Sequence, residues 1–254
     1  MFVGAAVCPH PPLLVPEVGT GAAGELDDLR TSCFEAVRLL ASTRPDVVVC
    51  VGGAPALRRF PDAAVGSLRG LGVHLRAGSG DAGDAAGARD AGDTGGAEGL
   101  DGELPLSLTL GAWLLDRYGW EGARRYVALP RELSGDECAA LGRVAADRDG
   151  MRVGVLAMGD GTAKRSEHAP GYVDHRAGAL DQRVADALAH ADREWLVRRL
   201  DPGDCADLWV AGRQAWQFLA GAAESAPPGA DIAAKMHYDA APYGVGYFVA
   251  SWLT

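Results

Sequence analysis

The sequence predicts one three-layer α/β domain spanning residues 1–254, and three observations carry that prediction. Short apolar runs of strand length alternate with longer segments whose apolar residues recur at threes and fours. No internal repeat interrupts the alternation. With 254 residues, 48% of them hydrophobic, the chain can bury a full core without disulfide or metal staples.

In chain order, Phe2 to Cys8 reads as a buried strand, and Leu26, Leu29, Cys33, Val37 and Leu40 line one stripe of a helix over 25–42. "PDVVVCVGG" is a β-branched strand that ends in glycines, and "LGVHLRA" is a weaker strand. Residues 78–103 are almost wholly Gly, Ala, Asp and other polar residues. Such a segment offers too little apolar surface to offset its ordering entropy, which predicts an exposed, mobile insertion in a solvated loop. Helical period returns over 104–120, followed by a strand at "RYVAL". Ser134 and Glu137 have capping-box spacing, which starts a helix that runs to about 149. "MRVGVLAM" is the next buried strand. Two or three helices fill 177–224, broken at Asp201 and Pro202. In the closing run Val245, Tyr247 and Val249 face one way and Phe248, Ala250 and Trp252 the other, which predicts a central strand.

The formal charge of -10 argues against a nucleic-acid partner, since phosphate binding needs a basic surface. Seven acids (Asp81, Asp84, Asp90, Asp93, Glu98, Asp101, Glu103) against Arg89 place -6 of that charge in the insertion, so the folded body is nearly balanced. Five scattered cysteines without a CxxC pair suggest neither a disulfide framework nor a zinc knuckle and fit a reducing cytoplasm. The opening apolar run is broken by Pro9, Pro11 and Pro12, and no stretch reaches the roughly 20 apolar residues of a membrane span. A cytoplasmic protein without a membrane partner is expected.

Sites in such sheets gather at strand ends, where loops diverge. His10 stands just after the first strand; read alone, it is a turn residue with its ring bonded to backbone. His237 and Asp239 are two apart, so in an extended segment they share a face, and with His10 they make the two-histidine, one-carboxylate set that holds non-haem Fe(II). Their other reading is a surface pair ahead of Pro242. The glycine-rich turn Gly159, Asp160, Gly161, Thr162, Ala163, Lys164, Arg165 follows a buried strand and could cradle an anion, or serve only as a turn. His168 and His175, beside Glu167 and Asp174, could transfer protons or sit in an exposed loop. His74 and His190 read as structural. A nucleophile elbow, an HExxH pair and a dinucleotide fingerprint are missing.

The opening "PHPPLLVPEVG", then "PDVVVCVGG", "LAMGDGTAKR" and the closing "APYGVGYFVASW" together resemble the class III extradiol ring-cleavage dioxygenase superfamily, the LigB-like fold that includes the Memo proteins. The resemblance implies one α/β domain with a central mixed sheet and a cleft at the strand ends. In active members Fe(II) is held by a histidine after the first strand, a second after the next, and a late glutamate, while a further histidine moves protons. His10 matches the first ligand. Gly52 to Pro55 stand where the second is expected, and Thr162 and Ala163 where the Ser-His pair would be. The late carboxylate falls nearest Asp239, with His237 beside it.

Two functions follow as expectations. One is an extradiol-dioxygenase-like protein with an altered Fe(II) site on His10, His237 and Asp239, acting on an aromatic diol if it is active. The other is a non-catalytic protein that binds a small aromatic or anionic molecule in the same cleft without metal. Homo-oligomerisation is a third expectation, for which exposure of Trp209, Trp216 and Phe218 would be the sign.

Overall fold

The structure is a computed structural model and describes residues 1–19, 21, 23–79, 103–147 and 150–254. The acidic insertion therefore lies outside the described residues except for its two ends. A seven-stranded mixed sheet forms the middle layer of a single α/β domain. Its parallel centre comprises β1 (Phe2–Cys8), β2 (Val47–Gly53), β6 (Ala123–Leu129) and β7 (Val153–Met158), ordered β6-β2-β7-β1. An antiparallel strand, β3 (Arg58–Phe60), extends one edge. On the other, β9 (Tyr247–Leu253) runs antiparallel to β1, and β8 (Ala233–Ala240) closes the sheet. Strands β4 (Gly66–Ser67) and β5 (Arg76–Ala77) pair separately as a small hairpin.

Helices cover both faces. On one, α1 (Asp27–Ser42) and α2 (Leu106–Tyr118) bury Leu29, Cys33, Val37, Leu40, Leu108 and Leu115 against Ala6, Cys50 and Leu156. The other carries α3 (Gly135–Ala146), α4 (Arg176–Ala189), α5 (Arg193–Arg198), α6 (Pro202–Asp207) and α7 (Arg213–Ala223), packed on Val7, Val49, Val155 and Phe248. Where two or three helices were expected over 177–224, four form. Asp201 makes the break at Pro202 by accepting from the amides of Gly203 and Asp204, which leaves proline at the first helical position, where it needs no N–H.

The capping box is present: Ser134 Oγ accepts from the Glu137 amide at 3.3 Å, and Glu137 accepts from the Ser134 amide at 2.8 Å. β9 is central, as its two apolar faces required. "LGVHLRA" is not a full strand, because its first residue, Leu71, ends the 3-10 helix Arg69–Leu71 and only Arg76 and Ala77 pair. Trp216 and Phe218 are core residues, and Trp209 alone of the three aromatics is exposed. Among the described residues no helix is long and apolar enough to cross a membrane.

Candidate functional site

Because β1, β2, β6 and β7 are parallel, their C-terminal ends share one side of the sheet, and there a cleft of about 640 Å3 opens. That volume suits a small organic ligand. The cleft floor is His10 after β1, Gly53, Ala54 and Pro55 after β2, and Arg131 and Glu132 after β6. Its wall is α6 with the start of α7: Cys205, Ala206, Trp209, Val210, Arg213 and Gln214.

His10 therefore does face a cavity. Its backbone N–H donates to Asp160 Oδ1 at 2.7 Å, but its ring Nδ1 is 3.6 Å from the same oxygen, beyond hydrogen-bond reach, and has no hydrogen-bond partner among the described residues. Burial raises the Asp160 carboxyl above its usual range, opposed by the nearby His10 ring and the bond from the His10 amide.

The glycine turn is engaged by the protein itself. Gly159 N donates to the Cys8 carbonyl, Gly161 N to Gly246, Thr162 N to Asp181 Oδ1, Ala163 N to Leu208 and Arg165 N to Gly244. Lys164 Nζ lies 5.5 Å from the Trp209 ring centre, and Arg165 reaches Asp181 at 3.5 Å. The five amides named are spent. The turn's glycine has a packing role: a Cβ at Gly159 would come within 2.2 Å of Gly212 Cα, so this close approach lets α7 begin beside the strand end. Asp160 O then accepts from Ala211 and Gly212.

His237 and Asp239 do not share a face. The register pairs Met236 with Ala250 and Tyr238 with Val249, so His237 is the extra residue of a β-bulge. Its Nε2 meets Ser251 Oγ at 2.8 Å on the α1 side, whereas Asp239, opposite Phe248, points to the other face near Arg165 and Asp186. Among the described residues no group of three His, Cys, Asp or Glu is placed to hold a metal ion. The residues present thus do not fit the iron site that the resemblance implies. His168 and His175 are exposed, as is His74; His190 Nδ1 contacts the Asp186 carbonyl.

Sequence reasoning missed Arg131, Arg213 and Gln214. Arg213 is buried at the cleft wall, donating to Gln217 Oε1 at 2.8 Å and to the Arg131 carbonyl at 2.5 Å. Both acceptors are neutral, and among the described residues no carboxylate lies within 4.0 Å of it. Gln214 is 6% exposed, and its Oε1 is buried without a partner among the described residues. α7 also starts here with no side-chain cap and no acid in its first turn, leaving amide donors and the positive end of the helix at the cleft. The available signal was polar Arg213, Gln214 and Gln217 in a segment otherwise apolar all round.

The part of this wall that precedes α7 is largely apolar. Trp209, 53% exposed, holds a left-handed backbone with φ 58 that its side chain disfavours, and Lys164 backs its ring. Burial pushes the Cys205 thiol up to about 12 despite Arg213 nearby, which disfavours its thiolate.

No protein-family model matches the chain, and no curated protein matches it. Among solved structures it is similar to the uncharacterized protein JW3007 from Escherichia coli K12, at 15% identity and a TM-score of 0.55, covering 99% of this chain and all of that one. That likeness is one of fold over the full length of both proteins.

Proposed function

We propose that the protein binds a small organic anion with an apolar, ring-sized body in the cleft above β1, β2 and β6, without a metal, on an extradiol-dioxygenase-like scaffold. One observation carries the reading: the buried Arg213 guanidinium lines the cleft and, among the described residues, donates only to neutral acceptors. A buried charge without a counter-charge is costly, and an anionic ligand supplies one. The α7 amides and Arg131 favour the same sign, while Trp209, Ala206 and Val210 offer a surface for the ligand's ring. His10 and Gln214, each with a buried unpartnered atom, are the groups that a hydroxyl or a second polar group on the ligand would satisfy.

Benzoate and its neutral analogue benzamide are the probes, measured by titration calorimetry. Benzoate binds saturably and benzamide at least about tenfold more weakly, as expected when a buried charge pair is formed. Arg213→Met removes the preference for the anion, and Trp209→Ala weakens both probes. Equal binding of the two probes, or no saturable binding, refutes the reading. Iron retained by the wild type after anaerobic Fe(II) loading and lost in His10→Ala would instead establish a dioxygenase-like metal site.

A further inference from the structure

A second concavity of about 1000 Å3 adjoins the cleft, the two sharing Ala54 and Pro55. It lies between the β4–β5 hairpin, β3 and the segment that enters α2. Among the described residues its lining carries the guanidinium groups of Arg69 and Arg76, with Arg58 beside them, and one carboxylate, Glu103. In a chain of net charge -10 that local reversal of sign is not what composition alone would produce.

The geometry concentrates the charge. Ser67 and Arg76 are cross-strand partners, and the Arg69 amide donates to Ser67 Oγ at 3.2 Å, which holds Arg69 within one turn of that pair. Neither Arg69 nor Arg76 forms an ion pair among the described residues. The thirteen-residue α2 begins at the groove wall behind Pro105, without a side-chain cap and without an acid in its first turn. Its first-turn amides add positive potential at that wall.

We infer that this groove binds a multiply charged oxyanion of the diphosphate class, either as a free compound or as the tail of a larger ligand. Paired guanidinium forks match phosphate oxygens in a bidentate manner, and two or more of them reward charge that a single carboxylate does not carry. The open side toward Ala54 and Pro55 makes the second source geometrically available: a tail in the groove leaves its organic head facing the cleft. The groove does not depend on Arg213, so the inference stands or falls separately from the cleft reading.

The test is calorimetric titration of the full chain with inorganic pyrophosphate, with ADP as a diphosphate carrying an organic head. Pyrophosphate is expected to bind saturably at physiological ionic strength, and the double variant Arg69→Gln/Arg76→Gln to weaken it by roughly tenfold or more. A control double variant, Arg183→Gln/Arg199→Gln, removes equal charge from exposed sites on the other face and should leave binding unchanged. ADP binding more tightly than pyrophosphate, and competing with benzoate, identifies the tail of a larger ligand; ADP binding no more tightly identifies a free diphosphate. Absence of saturable pyrophosphate binding, or equal weakening by both double variants, overturns the inference. Benzoate binding in Arg69→Gln/Arg76→Gln reports separately on the cleft.

Discussion

Asp181 on α4 is a buried carboxylate that accepts from both the amide and the hydroxyl of Thr162, at 2.8 and 3.0 Å, and so pins the turn that carries Asp160 beneath His10. Burial raises it from an ordinary 3.8 to about 6, against the lowering effect of the Thr162 donors and Arg165. The folded protein thus holds this proton more tightly than the unfolded chain. Its stabilising contribution is complete below about pH 4 and is lost as the pH rises through about 6, because unfolding then releases a proton. The displacement corresponds to about 3 kcal/mol of the stability of the whole domain. Asp181→Asn keeps an acceptor for the Thr162 amide and removes the titration. Urea unfolding followed by tryptophan fluorescence between about pH 4 and pH 7 should therefore show the variant gaining on the wild type by up to about 3 kcal/mol across that range. Asp160 and Asp239 are also raised but titrate in both proteins, so the difference isolates Asp181. Profiles that stay parallel from acid to neutral pH would refute the reasoning.

Two further substitutions test the cleft and its support. Gln214→Met replaces a side chain whose buried amide oxygen has no partner among the described residues by an apolar one of similar length, so urea unfolding should show stability unchanged or raised by about 1 kcal/mol while benzoate affinity falls. Gly142→Ala places a Cβ 2.0 Å from the Phe218 carbonyl at the contact between α3 and α7; a loss of about 3 kcal/mol is expected, seen as a fall in Tm of roughly 10 °C.

What the sequence made legible was local. The stripe of Leu29, Cys33, Val37 and Leu40, the β-branched run at Val47 to Val51 and the Ser134 capping box each depend on neighbours within a turn or two, and each is found in the fold. Strands of two or three residues such as β3 and β4 were invisible because their partners, not their own side chains, define them. His10 was legible as a candidate because it directly follows a buried strand. Arg131 and Arg213 were not, since only the strand order brings the loop after β6 beside the start of α7. The His237 and Asp239 pairing assumed regular alternation, and the bulge breaks that rule without any signature in residue type.

The bulge has a consequence beyond aiming two side chains. β8 is the last strand of its sheet, and such a border is a template onto which another chain can add itself. An irregular hydrogen-bond spacing at His237, with exposed Lys235 and Asp239 to either side, spoils the straight ladder that an incoming strand requires. The residue that disrupts the alternation thereby discourages edge-to-edge stacking of one molecule on the next.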